Sequence, residues 1–241
     1  MIHGSNMDGH APFLDTLTTE TRTAFARLGA RRTFAMGDVL ISEGDYAQEL
    51  MVLHRGVVKV MGRLEGDQAA LMDIKIEGDV VGEIAAMDFG PRSATVTACG
   101  DVVAAVVPSH ELLPFLRSNH EAELAFNKVI GCRLRRSDRW RLDFGRYPVP
   151  VRLARVLVEL ALSHGKQGRN AVRIDVNLSQ SEFAALVGSR TNTVQKILAQ
   201  LRADGLISTG ERQTFVHDLA KLRQVARLSA PSRGGTSRIP H

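Results

Sequence analysis

Within VGEIAAMDFGPRSATVTA (residues 81–98), a carboxylate at Glu83 precedes a guanidinium at Arg92 and a hydroxyl at Ser93, in otherwise apolar, strand-like surroundings. Charges left unpaired in a sheet interior are costly. Two arrangements would satisfy them. One is an internal Glu83–Arg92 salt bridge. The other is a ligand with one anionic phosphate and a ribose, with Arg92 and Ser93 on the phosphate and Glu83 accepting from a ribose hydroxyl. Gly82 would let the backbone approach such a ligand closely. The chemistry of these residues leaves both arrangements open.

A second constellation lies in LSQSEFAALVGSRTNTVQKILAQLRADGLI, residues 178–207. Ser179 with Glu182 makes a capping box that opens a short helix. Ala184 is small where a second helix must cross closely, and Gly188 permits the sharp turn between the two. The second helix starts at Ser189 or Arg190, buries Val194, Ile197, Leu198 and Leu201, and ends at Gly205. A generic helical hairpin shares parts of this pattern, but the spacing Ala184–Gly188–Val194–Ile197 in a basic setting reads as a helix-turn-helix. LISTGERQTFVHD (206–218) then reads as strand, glycine turn, strand: a wing. On the second helix Thr191, Asn192, Gln195 and Lys196 point away from the apolar face. Asn and Gln suit adenine, and Lys suits guanine acceptors. Ser179, Thr193 and Arg212 are placed for phosphates, which position a domain without reading sequence.

Charge supports a division of the chain. Of 241 residues, 44% are hydrophobic and 24% charged, as in a globular protein. Residues 1–132 carry 11 Lys/Arg against 18 Asp/Glu, and residues 133–241 carry 20 against 8, so a net −7 is followed by a net +12. A polyanionic partner for the second half explains this, and so does a solvated basic surface. Two distant cysteines, Cys99 and Cys132, cannot ligate an iron–sulfur cluster or a structural zinc; they read as buried and inert in a reducing cytosol. No apolar run approaches a membrane span, and no hydrophobic signal region opens the chain, so a soluble, cytoplasmic protein is expected. The ends, 1–12 and 229–241, are small and polar and are expected to be disordered.

The elements that must position these residues follow from periodicity. After an amphipathic segment (14–28), Gly-Asp turns recur at 37–38, 44–45, 66–67, 78–79 and 100–101. Between them lie β-rich pieces at 39–41, 50–62, 70–76, 93–98 and 102–107, which predict a small antiparallel roll or sandwich. His54 falls in one piece and reads as a packed or surface residue. SHELLPFLRSN predicts a short helix, and residues 120–144 a long one. On the long helix Phe126, Ile130, Leu134, Ser137 and Arg141 form one stripe. Such a narrow seam either pairs with a copy of itself or packs on its own sheet, and self-pairing is the favoured expectation. Pro148 and Pro150 break the helix and mark a boundary. Residues 151–165 predict another amphipathic helix, followed by a polar loop, KQGRN, and a short strand in VRIDVN.

GEIAAMDFGPRSATVTA resembles the phosphate-binding cassette of cyclic-nucleotide-binding domains. Cassette, long helix and helix-turn-helix, in that order over residues 13–220, resemble the Crp/Fnr family of bacterial regulators. The resemblance implies an α+β fold: a cyclic-nucleotide-binding β-roll (13–119), a dimerisation helix (120–146) and a winged helix-turn-helix domain (147–220). It also implies a homodimer on a palindromic operator in double-stranded DNA, under control of a cyclic nucleotide, with cyclic AMP the leading effector. Carried over by position, Gly82 and Glu83 would meet the ribose and Arg92 and Ser93 the cyclic phosphate, with Ile84 and Ala94 lining the pocket. Ser137 matches the first of two hydroxyl residues that meet adenine from the long helix. Asp138 stands at the second and departs from the pattern. On the recognition helix Thr191, Asn192 and Thr193 replace the family's usual Arg-Glu-Thr; Lys196 keeps a cation, and Arg190 stands one position early. Loop 163–170 falls where members can contact RNA polymerase, without a recognisable match.

Three other readings stand beside this one: the same fold with a different effector or none, haem through His54 or His110 included; a nucleotide-binding regulatory subunit that ignores DNA; and an enzyme. For the last, no nucleophile is paired with a base and no metal-ligand spacing occurs.

Overall fold

The computed structural model describes residues 12–63, 69–174, 176, 178–210 and 213–228. Residues 1–11 and 229–241, expected to be disordered, and Arg212, expected to meet a phosphate, lie outside this set. The amphipathic segment 14–28 divides into a 3-10 turn (Phe13–Thr16) and α1 (Thr19–Phe25), capped by Thr18, whose side chain accepts from Thr21 N. Phe13 and Phe25 are buried and meet edge to face, 5.1 Å between centroids.

Eight strands follow: β1 (Ala30–Phe34), β2 (Val39–Ile41), β3 (Glu49–Arg55), β4 (Val58–Arg63), β5 (Ala69–Lys75), β6 (Val80–Val81), β7 (Thr95–Ala98) and β8 (Val102–Pro108). They form two antiparallel four-stranded sheets, ordered β1-β8-β3-β6 and β2-β7-β4-β5. The run 50–62, expected as one piece, breaks at Gly56 into β3 and β4. β1 and β6 were not foreseen. β1 is an edge strand whose first four residues are exposed, so it lacks an apolar alternation, and β6 has only two residues. Ser93 and Ala94, expected to open a strand, precede β7 in a loop.

Helix α2 (Glu83–Asp88) separates β6 from β7, and α3 (Ser109–Ser118) leads into α4 (His120–Arg146). Asn119 caps α4 by accepting from Ala122 N. The face of α4 that packs on its own chain is not the whole expected stripe. Ala122, Ala125, Phe126 and Val129 are buried against the roll, and the face continues through Arg133, Arg136 and Trp140. Of the stripe only Phe126 is buried; Leu134 is 63% exposed, and Ser137 and Arg141 are exposed as well.

Helix α5 (Val149–His164) starts after only Tyr147 and Pro148. Pro148 is its N-cap and Pro150 lies in its first turn, so Pro150 opens α5 rather than breaking a helix. The DNA-binding half continues with β9 (Gly165–Gln167), β10 (Val172–Ile174), α6 (Gln180–Leu186), α7 (Thr191–Ala203), β11 (Ile207–Gly210), β12 (Gln213–Val216) and α8 (Leu219–Val225). Its sheet runs β11-β12-β10-β9, so part of the loop expected at 163–170 pairs as β9. Leu153, Leu157, Phe183, Val194, Leu198 and Leu206 share one core with Leu71 and Ile74 of β5. The roll is thus packed onto the DNA-binding half.

Two arginines of α5 hold the junction: Arg155 pairs with Asp143 of α4 at 3.1 Å and lies 4.1 Å from the Tyr147 ring, and Arg152 bonds the backbone. Arg152 donates to the carbonyls of Phe144 (3.0 Å), Tyr147 (3.1 Å) and Val187 (3.0 Å), and its guanidinium lies 5.0 Å from the Phe144 ring. Phe144 in turn fills the space beside Gly188, which has φ +56° and where a Cβ would sit 2.4 Å from the ring. Gly188→Ala combines a left-handed backbone with overpacking, and should cost about 2–4 kcal/mol. The check is the urea midpoint of the full chain.

Candidate functional site

A cavity of about 440 Å³ opens between the second sheet, α2 and α4. One end is built by the cassette. Gly82 has φ +79°, and a Cβ there would lie 2.5 Å from Arg92 Nη1, so only glycine allows the guanidinium to pack on the backbone. Arg92 is 4% exposed and donates to the carbonyls of Gly82 (2.9 Å) and Glu49 (2.8 Å). Its backbone N–H and carbonyl are bonded to Asp45 and Gly44, which fixes the loop before β7. Ser93 and Ile84 are exposed, Ala94 is buried, and all three line the cavity with Gly82, Glu83 and Arg92.

Glu83 does not pair with Arg92. Its Oε1 is bonded by Arg133 Nη1 of α4, and Arg133 Nη2 also donates to the Val80 carbonyl. The carboxylate nearest to Arg92 is Glu49, at 3.8 Å. Burial therefore pulls the Arg92 pKa down, with Glu49, Glu83 and Asp45 offsetting only part of the loss. At Arg133 burial has the same sense, but Glu83 together with Asp73 and Asp79 outweighs it and the net shift is upward. Arg92 is a buried cation whose charge the protein compensates incompletely.

The middle of the cavity is an ion network. Asp73 of β5 holds Lys75 Nζ at 2.7 Å and Arg136 Nη1 at 2.6 Å, and Arg136 Nη2 reaches Glu159 of α5 at 2.7 Å. Burial raises the Asp73 carboxyl, but the charges of Lys75 and Arg136 overcome it and hold the group well below the usual carboxylate range. Lys75 is 2% exposed. Ser137, Trp140 and Phe144 continue the wall along α4, and Ala185 and Leu186 of α6 close its far end. Asp138 is exposed and is not among the lining residues. Sequence reading missed Asp73, Lys75, Arg133, Arg136, Trp140 and Glu159. The available signal was the arginine-rich face of α4 opposite an acidic roll.

The second constellation is assembled as expected. Ser179 Oγ accepts from Glu182 N (3.2 Å) and Glu182 Oε2 accepts from Ser179 N (2.7 Å). The other oxygen of Glu182 pairs with Lys59 of β4 at 2.7 Å, a link to the roll that local sequence rules did not reveal. Arg190 is the N-cap of α7 without a side-chain cap bond. Thr191, Asn192, Thr193, Gln195 and Lys196 are exposed and Val194, Leu198 and Leu201 are buried, while Ile197, expected on the buried face, is half-buried. β11 and β12 form the wing hairpin.

Both cysteines are half-buried rather than buried. Burial still pushes the Cys99 thiol up to about 11, and Cys132 Sγ accepts from Arg135 at 3.2 Å. His54 is half-buried in β3, its pKa lowered chiefly by burial and then by Arg31. Among the described residues no group of three or more His, Cys, Asp or Glu could hold a metal ion, and no helix is long and apolar enough to cross a membrane.

The roll, its cassette and the helix-turn-helix define a DNA-binding transcription regulator with a cyclic nucleotide-binding domain. Residues 31–119 match the family model of the cyclic nucleotide-binding domain, and residues 151–225 match that of the Crp-like helix-turn-helix domain. The chain belongs to the Crp/Fnr family. It is 30% identical to the CRP-like cAMP-activated global transcriptional regulator of Mycobacterium tuberculosis over 194 residues, covering 80% of this chain and 87% of that one. It is 25% identical to the cyclic AMP receptor protein of Thermus thermophilus, covering 81% and 88%. A crystal structure of a CRP-family transcriptional regulator, also from T. thermophilus, matches with a TM-score of 0.69 at 26% identity, over 81% of this chain and 96% of that one.

Removing a partner from a buried ion network strands the others. Asp73→Asn should therefore destabilise the chain by about 3–5 kcal/mol at neutral pH. Because the folded carboxyl titrates below its unfolded value of about 3.9, this contribution is present above that pH and is lost as pH falls through the folded pKa. Urea midpoints of wild type and variant should accordingly start to converge below about pH 4.

Proposed function

We propose that the chain is a homodimeric transcription regulator whose binding to a palindromic operator is controlled by a cyclic nucleotide, with cyclic AMP as the effector. The observation that carries this reading is Arg92: a buried guanidinium, seated on a left-handed glycine, facing a cavity and lacking a bonded carboxylate of its own. A singly charged phosphate diester supplies the missing anion in the geometry a guanidinium favours. The cavity residues fit the whole ligand. Arg92 and Ser93 would hold the phosphate, Gly82 and Glu83 the ribose, Ile84 and Ala94 the sugar's apolar flank, and Ser137 the base. Glu83 has Oε1 engaged by Arg133, and its second oxygen would accept from a ribose hydroxyl. The names of the M. tuberculosis and T. thermophilus relatives support cyclic AMP over other anions.

The stripe Ile130–Leu134, exposed in the single chain, supports pairing of α4 with its copy, in a chain divided at 13–119, 120–146 and 147–220 and acting in the cytoplasm. Asp138, exposed beside it, would then face the partner rather than the cavity of its own chain. On DNA, Asn192, Gln195 and Lys196 would read bases with Thr191, Arg190 would compensate for the arginine contact that Thr191 cannot make, and Ser179 and Thr193 would meet phosphates. Ser179 has its hydroxyl in the capping box, so a phosphate would share it.

Three outcomes test the reading. Cyclic AMP at a hundredfold excess over its dissociation constant should add about 2.7 kcal/mol of stability, read as a thermal shift, and Arg92→Leu should abolish that shift while keeping the fold. A shift retained in the variant, or seen only with cyclic GMP or cyclic di-GMP, would sink the assignment. Lys196→Ala should lose about 1–3 kcal/mol on the selected operator but little on random DNA; equal losses on both would make it a phosphate contact. Leu134→Glu should sediment as a monomer, and a persistent dimer would place the interface elsewhere.

A further inference from the structure

One arginine of α4 holds both of its neighbours. Arg136 Nη1 bonds Asp73 on β5, and Nη2 pairs with Glu159 on α5, the first helix of the DNA-binding half. Asp73 and Arg136 line the 440 Å³ cavity; Glu159 does not, and instead lines a second cavity of about 260 Å³ between α4 and α5. The guanidinium lies 5.3 Å from the ring of Trp140, which borders both cavities. A guanidinium is planar and rigid, so its two Nη atoms cannot move independently. Any displacement at the Asp73 end turns the Glu159 end.

We propose that Arg136 is a positioning residue that ties occupancy of the cavity to the placement of the DNA-binding half. A ligand that reaches Asp73 competes for Nη1, rotates the guanidinium across Trp140 and loosens Glu159. In the ligand-free chain the fork holds α5 in one placement relative to β5. Lys59–Glu182, an ion pair between β4 and α6, touches neither cavity and supplies the control. This inference rests on the effector reading above, but its test has an arm that does not.

The experiment measures operator affinity of the full chain, by anisotropy on a selected DNA sequence, with and without saturating cyclic AMP. Glu159→Gln removes one charge of the bridge outside the nucleotide cavity and preserves shape. Effector couplings are typically about 5–150-fold, and Glu159→Gln should bring the ratio to within about threefold of unity, as should Arg136→Lys, whose point charge cannot serve two carboxylates. Lys59→Gln should keep the wild-type ratio to within about threefold. A ratio preserved in Glu159→Gln, or lost equally in Lys59→Gln, overturns the bridge. If cyclic AMP leaves even the wild type unchanged, the effector reading fails and the ligand-free arm decides. A change of more than about threefold in Glu159→Gln alone upholds the bridge, and no change ends it.

Discussion

The molecule is organised around positive charge withdrawn from water. Lys75, Arg92, Arg133 and Arg136 stand around one cavity, and each must be compensated where it sits. Asp73 answers Lys75 and Arg136, Glu83 answers Arg133, and Glu159 completes the fork. These contacts fasten a helix with an arginine-rich inner face to a sheet, where an apolar stripe would ordinarily serve. Arg92 alone of the four has no carboxylate within hydrogen-bond distance: it donates to two backbone carbonyls, and its nearest carboxylate lies at 3.8 Å. The same electrostatic requirement therefore both builds the scaffold and leaves one site for an external anion.

Legibility in the sequence followed the range of the interaction. Contacts within a few residues were readable: the Ser179–Glu182 capping box, the Gly188 turn, the buried face of α7 and the spacing of Gly82, Arg92 and Ser93. Pairings across long separations were not. Nothing local marks Asp73 and Glu159 as ends of one fork, and Glu83 had an arginine nearby in sequence that it does not use. The inner face of α4 was not legible because hydrophobic periodicity counts apolar residues, and that face changes from Ala122, Phe126 and Val129 to Arg133, Arg136 and Trp140. β1 escaped because an edge strand with exposed arginines carries no alternation.

The two halves share more than a linker. Leu71 and Ile74 of β5 belong to the core of the DNA-binding half, and Ala185 and Leu186 of α6 close the 440 Å³ cavity. A ligand therefore meets residues of both halves at once. Differential affinity for two arrangements, the only means by which a ligand can bias them, is built into such a cavity.

The junction of α4 and α5 has the look of a hinge, with a single residue, Tyr147, between Arg146 and Pro148. Arg152 changes its mechanics. By bonding the carbonyls of Phe144, Tyr147 and Val187, it joins the last turn of α4, the linker and the helix-turn-helix turn into one stiff corner. Torque applied along α4 then reaches the base of the recognition helix undiminished, as through a welded joint. The lever arm of the DNA reader is then the long helix itself, braced at its far end rather than hinged there.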